Sequence, residues 1–444
     1  MARKPRPPIT LTIDQFDPKG QSGLDSLGTR WTIKGAPVGS VVQIQKQRKQ
    51  KGRLLSIEQL PPNAKQPPCS LFGICGGCQL QHMPLDDQRR EKSAMLKRLF
   101  PFVDDIRDTT GSAKAYAYRN KIELTFGTKN YTLSPDTPTV EGSYLGFHPR
   151  GWYSKIVPVE NCAIASERMN AVIEHLQSLN LSPAWDEYHH KGTWRHVIIR
   201  EGEGLLISLV TSPDAQESQV DEVAAGLQAL PYVASVHWVE TDAKSKVAQG
   251  TVRKVYGTNS LSIRLRDKSF LVPHDGFFQV NTEGMEVLLT CIEEACSNTH
   301  TLLDLYCGSG SIGIALSHLF EEVIGIELHE NSIEWAKINA SNNQVQGTWL
   351  AGPVEKVLPT LSFPRNSLIL VDPPRVGLHP KAAAFLAEQE TERLVYVACS
   401  PASLLRDAKI LEEGGWKLET LWSVDLFPQT PHVESIALFT KDLS

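Results

Sequence analysis

Residues 303–313 read LDLYCGSGSIG, an apolar run that breaks into alternating glycines and small hydroxyl residues. A strand that ends in such a turn and opens directly into a helix lets the backbone bend tightly and approach a ligand closely. Nineteen residues after Gly308, at the end of the apolar run 322–327 (EVIGIE), stands Glu327. A carboxylate there can accept both ribose hydroxyls of an adenosine. Further short apolar runs at 301–306, 367–372 and 393–398 are separated by helical stretches. That rhythm predicts a parallel, doubly wound sheet from about residue 284 onward, with chemistry at the carboxyl ends of its strands. The last two runs, WKLETLWSV and SIALFT within 416–440, predict an antiparallel hairpin that closes the sheet. On these residues the glycine loop suits an NAD-dependent dehydrogenase as well as an S-adenosylmethionine (SAM) methyltransferase.

The later strand ends separate the two. Residues 367–372 run into Asp372-Pro373-Pro374-Arg375, and 393–398 into Cys399-Ser400-Pro401; His432-Val433-Glu434 precedes the final run. The prolines stiffen their loop and remove amide donors, leaving Asp372 and Arg375 for the crevice. A lone cysteine at a strand end is ordinarily a small core residue, but Cys399 shares its crevice with the nucleotide site. A thiol nucleophile and a separate carboxylate base are what methylation of uracil at carbon 5 requires. The thiolate adds to carbon 6 and makes carbon 5 enolate-like, and the base later removes the proton from carbon 5 so that the thiolate can leave. Cys399 and Glu434 suit these roles, with a lowered thiol pKa expected for Cys399.

The run of motifs FFQVN (277–281), LDLYCGSGSIG (303–313), GIE (325–327), VDPPRVGL (371–378), YVACSP (396–401) and DLFPQTPHVES (425–435) resembles the SAM-dependent RNA 5-methyluridine methyltransferases. The resemblance implies Cys399 as nucleophile, Glu434 as base, and SAM contacts at Gln279, Tyr306, Ser311, Glu327 and Asp372. The chain departs from the family pattern at Ser400, where asparagine is common, at Ser309 and Ser311, and at 351–353 (AGP), which lack the usual acidic residue. A cytosine methyltransferase also uses a cysteine nucleophile, but the DPPR, CSP, HVE order is that of the uracil enzymes. A non-catalytic RNA-binding protein would not need both Cys399 and Glu434.

Eight cysteines are present, three of them in the pattern Cys69-x5-Cys75-Gly-Gly-Cys78, with Cys162 the next in sequence. By spacing alone a zinc site of four thiolates and a [4Fe–4S] cluster both remain open. The 23S ribosomal-RNA branch of the resembling family carries this pattern with a distal cysteine and a [4Fe–4S] cluster, which the resemblance implies here at Cys69, Cys75, Cys78 and Cys162. Cys291, Cys296 and Cys307 are read as core or surface thiols.

The chain has 444 residues with 45 Lys+Arg against 50 Asp+Glu, a net −5. That sum argues mildly against a nucleic-acid partner until it is divided. Residues 1–60 hold eleven cations (Arg3, Lys4, Arg6, Lys19, Arg30, Lys34, Lys46, Arg48, Lys49, Lys51, Arg53) against Asp14, Asp17, Asp25 and Glu58, a net +7 that leaves −12 elsewhere. Runs at 9–15, 30–34, 40–46 and 53–58 predict a small β-barrel or sandwich, and the segment resembles the TRAM and OB-like RNA-binding barrels. The expected organisation is a TRAM-like barrel at 1–60, a central α+β domain with the iron–sulfur segment at 61–272, and a Rossmann-like SAM methyltransferase domain at 273–444. Helices are expected near 86–100, 163–179 and 215–229. Candidate RNA contacts are residues 119–121, Trp194 and Arg195. The expected substrate is a uridine of RNA, 23S rRNA before the T-loop of tRNA, extruded from its stack for the reaction. No apolar run reaches membrane-span length and the amino terminus has no apolar core of a secretory signal, so a cytoplasmic protein with no membrane association and no evident obligate protein partner is expected.

Overall fold

The computed structural model describes residues 7–18, 20–131, 139–245, 248–296 and 299–442. Arg3, Lys4, Arg6 and Lys19 of the basic count lie outside them. The chain forms two compact units: the first comprises 1–67, 78–115 and 283–444, the second 68–77 and 116–282.

The first unit is built on the predicted doubly wound sheet. Its seven main strands are β1 (Thr301–Leu305), β2 (Glu322–Glu327), β3 (Thr348–Ala351), β4 (Ser367–Val371), β5 (Arg393–Ala398), β6 (Lys417–Val424) and β7 (Glu434–Thr440). Their order is β3-β2-β1-β4-β5-β7-β6, with the short strand Asp105–Ile106 added beyond β6. Strands β1 to β5 are parallel, and β1 and β4 are buried at every position, as expected of strands covered on both faces. The final hairpin is antiparallel as predicted, but it does not close the sheet in sequence order. β7 inserts between β5 and β6 and runs antiparallel to both.

The helix Leu85–Leu99 packs in this unit. Its Met95 and Leu96 join Leu421, Trp416 and Phe439 in the main core. From the same helix Lys92 reaches Asp425, at the end of β6, with Nζ–Oδ1 2.6 Å and both side chains wholly buried. Burial drives the Lys92 pKa down, while Asp425 opposes that shift.

The amino-terminal segment forms a five-stranded antiparallel sheet in the order Arg30–Ile33, Gly20–Leu24, Ile9–Asp17, Val41–Lys46, Gly52–Gln59. The expected closed barrel is a half-barrel. Among the described residues its two outer strands pair only at the isolated bridge Thr32↔Lys51, with Thr32 N–H donating to Gln50 O at 2.9 Å. The strand Gly20–Leu24 carries almost no β-branched or aromatic signal and is absent from the sequence reading. It exists because Gly23 lets the backbones close up: a Cβ there would stand 2.1 Å from Thr12 O. Arg98 of the helix Leu85–Leu99 donates to Phe16 O at 2.7 Å, and Phe16 enters the main core, so this sheet is packed against the rest of the first unit. Lys46 is engaged internally, 3.4 Å from Asp25 and over the Trp31 ring. Arg48, Lys49, Lys51 and Arg53 are exposed at the hairpin tip.

The second unit is the expected α+β arrangement. A seven-stranded sheet has the order Thr251–Gly257, Val233–Glu240, Gly204–Thr211, Trp194–Gly202, Lys121–Lys129, Glu141–Phe147, Val157–Pro158. Helices Glu167–Ser178 and Glu217–Gln228 bury Met169, Val172, Val220 and Leu227 in the same core as that sheet's Val197, Ile207 and Val236. A separate hairpin pairs Ser260–Leu265 with Lys268–Pro273. No helix among the described residues is long and apolar enough to cross a membrane.

Removing one partner of the buried ion pair strands the other charge. Lys92→Met should therefore lower unfolding stability by about 3–5 kcal/mol in denaturant titration, and Lys92→Met combined with Asp425→Leu should recover most of that loss.

Candidate active site

The site is assembled at the carboxyl ends of β1, β2, β4 and β5 and at the start of β7. After β1 the chain turns through Tyr306 (φ 66°), Gly308 and Gly310 into the helix Ser311–Ala315. A left-handed backbone is costly for a residue with a Cβ, and Tyr306 is held there by its N–H donating to Ile326 O at 2.8 Å. Gly313 is required for contact rather than for φ: a Cβ would stand 2.8 Å from Asp304 Oδ2, the atom that accepts the Gly313 N–H at 3.0 Å. Glu327 accepts from Gly308 N–H at 3.2 Å and His329 N–H at 3.1 Å. Each carboxylate oxygen keeps a further lone pair for a ligand hydroxyl. Residues 351–353 turn beside the end of β2, Gly352 N–H donating to the Glu327 backbone carbonyl at 2.8 Å.

The loop after β4 is braced from below. Asp407 accepts from Leu378 N–H at 2.8 Å and from the Tyr396 hydroxyl at 2.7 Å, and Ser403 donates to Arg375 O at 2.7 Å. Ser400 also has a local task. Its hydroxyl caps the helix Pro401–Glu413 by accepting the Ser403 N–H at 3.4 Å, a position that serine fills as well as asparagine does.

The last paired residues of β5 and β7 are Ala398 and Ser435. One step beyond them the antiparallel register sets Cys399 opposite Glu434, where side chains of facing residues lie within reach of each other. Glu434 is 3% exposed. Burial drives its carboxyl pKa well up, Asp372 adds to the rise and Arg375 opposes it. Burial likewise lifts Asp372 and Asp304 to about 7. The lowered thiol pKa expected of Cys399 is not found. Burial, then Glu434, push it up to about 11, and Arg375 only partly offsets them. The lowered value was expected because the chemistry needs a thiolate; the fold instead buries the thiol and sets Glu434 and Asp372 beside it.

The loop before Glu434 is pinned by residues that the sequence reading passed over. Gln429 has φ 69° and is buried. Its carbonyl accepts from Gln79 N–H at 2.7 Å and Leu80 N–H at 3.0 Å, and its side chain and amide exchange two hydrogen bonds with Gln88, at 3.0 and 2.9 Å. These pairings span about three-quarters of the chain, so no local pattern announces them.

Gln279 belongs to the second unit, whereas Tyr306, Ser311, Glu327 and Asp372 belong to the first. The candidate RNA contacts in the second unit have other duties. Trp194 is fully buried. Arg195 is 1% exposed and donates to Ala243 O at 2.6 Å and Ser245 O at 2.9 Å. Asn120 secures the segment 279–282, donating to Gln279 O at 2.8 Å and Thr282 Oγ1 at 2.9 Å. Cys69, Cys75 and Cys162 share the second unit; burial raises the thiol pKa of Cys75 and Cys162, with Cys162 and Cys69 adding to the rise at Cys75 and Cys69 adding to it at Cys162. Cys78 opens the next stretch of the first unit. Among the described residues no three or more His, Cys, Asp or Glu side chains close on one point tightly enough to hold a metal ion, so the expected metal site is not shown. Cys291 and Cys307 are buried and Cys296 donates to Ile292 O at 3.1 Å.

Comparison with known proteins supplies the family. The family described as tRNA (Uracil-5-)-methyltransferase matches residues 87–351 and 360–442. The chain belongs to this family. It is 30% identical over 457 residues to an RNA methyltransferase of Caldanaerobacter subterraneus subsp. tengcongensis, covering 98% of each chain. It is 34% identical over 406 residues to one of Staphylococcus aureus (strain COL), covering 87% of each. Among solved structures it resembles the Pyrococcus abyssi tRNA (uracil-54, C5)-methyltransferase in complex with S-adenosyl-L-homocysteine, with TM-score 0.77, 25% identity, and coverage of 97% of this chain and 99% of that one. The chain is thus a SAM-dependent RNA uracil-5 methyltransferase, and the dehydrogenase reading of its glycine loop is set aside.

A thiol pushed up to about 11 is mostly protonated at neutral pH. Alkylation of Cys399 by iodoacetamide in the ligand-free protein, followed by peptide mass spectrometry, should therefore accelerate about tenfold per pH unit from pH 7 to 9. A rate that levels off below pH 8 would show a thiolate already formed.

Proposed function

We propose that the enzyme methylates carbon 5 of one uridine in 23S rRNA through a covalent adduct between Cys399 and carbon 6. The observation that carries the reading is the antiparallel register that sets Cys399 across from buried Glu434. The Cys399 thiolate adds to carbon 6, and the electron pair passes to carbon 5, which takes the methyl group as the carbon–sulfur bond of the sulfonium breaks. Glu434 then accepts the carbon 5 proton, the double bond re-forms, and the carbon 6–sulfur bond breaks to return the thiolate. A carboxyl with a raised pKa is a stronger base than an exposed one, which suits it to this proton. SAM supplies the methyl group and one positive charge. Gln279, Tyr306, Ser311, Glu327 and Asp372 are its proposed contacts, and the acidic crevice of Asp304, Asp372 and Glu327 favours a cation. The target base leaves its stack to meet Cys399.

The half-barrel with exposed Arg48, Lys49, Lys51 and Arg53 is the proposed TRAM-like phosphate holder. Cys69, Cys75, Cys78 and Cys162 are the proposed ligands of a structural [4Fe–4S] cluster. Supporting this are the spacing, the electrostatic influence of Cys69 and Cys162 on Cys75 and of Cys69 on Cys162, the cations Arg150 and Arg119 acting on Cys75 and Cys162, and Gly77 N–H directed at Cys75 Sγ at 3.5 Å. Thiolates are the donors such a cluster takes. A tRNA uridine is the second reading, favoured by the substrate in the name of the Pyrococcus abyssi enzyme.

Mass mapping of 5-methyluridine in total RNA from cells lacking the protein should show loss at one 23S rRNA position; loss at a tRNA position selects the second reading. Cys399→Ala should retain RNA binding yet form neither product nor adduct, and Glu434→Gln should accumulate a denaturation-resistant RNA–protein adduct. Anaerobically purified protein should absorb near about 400 nm, and Cys75→Ser should lose that band.

A further inference from the structure

The second unit carries a shallow surface cleft, with about 30 Å³ of enclosed space, that the methyl-transfer chemistry does not use. It is bounded by the end of the strand Lys121–Lys129, the segment from His148 to Ile156, and the turn that holds Trp185 and Tyr188. Two of its rings are left in water: Tyr153 is 73% and Tyr188 67% exposed. Such rings contribute little to the core, and clustered exposed aromatics mark binding surfaces.

A cation and an imidazole flank these rings. Lys129 Nζ lies 5.4 Å from the Tyr188 ring centroid, and the His148 ring centroid lies 6.3 Å from that of Tyr153. Trp185 is backed by the Arg195 guanidinium at 4.2 Å, itself tied to the carbonyls of Ala243 and Ser245, so the indole rests on a fixed support. Glu187 is the one carboxylate among the described lining residues. Aromatic faces interleaved with cations are what proteins use to hold unpaired nucleotides: the rings stack on bases of any identity, and the cations meet the phosphates.

We propose that this cleft is a second RNA subsite. It takes an unpaired nucleotide of the substrate other than the one methylated, stacking its base on Tyr153 or Tyr188 with Lys129 at the adjoining phosphate. The inference rests on RNA being the substrate, and it assigns to the second unit a grip on single-stranded RNA.

The test uses the full chain and a fluorescent oligouridylate of about 12 nucleotides, within the footprint range of single-strand binders. Fluorescence anisotropy should show Tyr153→Ala with Tyr188→Ala weakening binding at least about tenfold, while Tyr153→Phe with Tyr188→Phe stays near wild type because the stacking face is kept. Lys129→Ala should reduce the salt slope of log affinity by about one. With a 4-thiouridine probe, ultraviolet crosslinks should map to peptides containing Tyr153 or Tyr188. Unchanged affinity in the double alanine variant, an equal loss in the double phenylalanine variant, or no wild-type binding to the probe would each overturn the subsite. Methylation of bulk RNA by the wild type, measured in parallel, tests the function independently.

Discussion

The pairing of β7 between β5 and β6 is the constraint on which the candidate active site depends. Parallel strands bring their carboxyl ends to one edge of the sheet, so β1, β2, β4 and β5 naturally deliver Tyr306, Glu327, Asp372 and Cys399 to the same crevice. A carboxylate at the beginning of a strand can join them only if that strand runs the other way. The antiparallel β7 does so, and its register with β5 aligns Glu434 with Cys399. A slip of one residue would turn Glu434 to the opposite face of the sheet.

That pairing is secured from outside the sheet. Asp425 and Gln429, on the connection from β6 to β7, are gripped by Lys92 and Gln88, one turn apart on the helix Leu85–Leu99. A buried ion pair contributes little net stability when its desolvation is counted, but it discriminates strongly against arrangements that leave either charge unpaired. Here it fixes one path for the connection that leads to Glu434. The cost of burying these acids is visible in their titration: burial pushes up Asp304, Asp372 and Glu434, with neighbouring carboxylates adding to the rise at Asp304 and Glu434, and Cys399 is pushed up by burial and then by Glu434. Among the described residues Arg375 is the side-chain charge that works to lower the Cys399 pKa. A cationic cofactor complements such a crevice, and its arrival favours the ionised forms of the groups around it.

Much of this arrangement was legible in the sequence because it is written in local signals. The glycine loop, the apolar strands and the Pro-Pro and Ser-Pro turns each state a backbone shape within a few residues, and the alternating strand–helix rhythm turns those shapes into a known sheet. The strand Gly20–Leu24 was not legible because it forms through close backbone approach instead of side-chain propensity. Trp194 and Arg195 suggested RNA contacts by type, yet one fills the core and the other serves backbone carbonyls. Residue type states what a side chain can do, and burial decides whether it is available to do it.

The sequence by itself determined the chemistry on offer: a glycine turn for a nucleotide, a thiol and a carboxylate at strand ends, and a basic amino-terminal segment hidden within a net charge of −5. The tertiary structure alone decided the insertion of β7 and the long-range grip of Gln88 and Lys92. It also decided the half-barrel and the direction in which the Cys399 pKa moves. The physical reason is that local backbone preference and residue type act over a few neighbours. Strand order, register and the electrostatic surroundings of a buried group are set by residues hundreds of positions apart, and only folding brings them together.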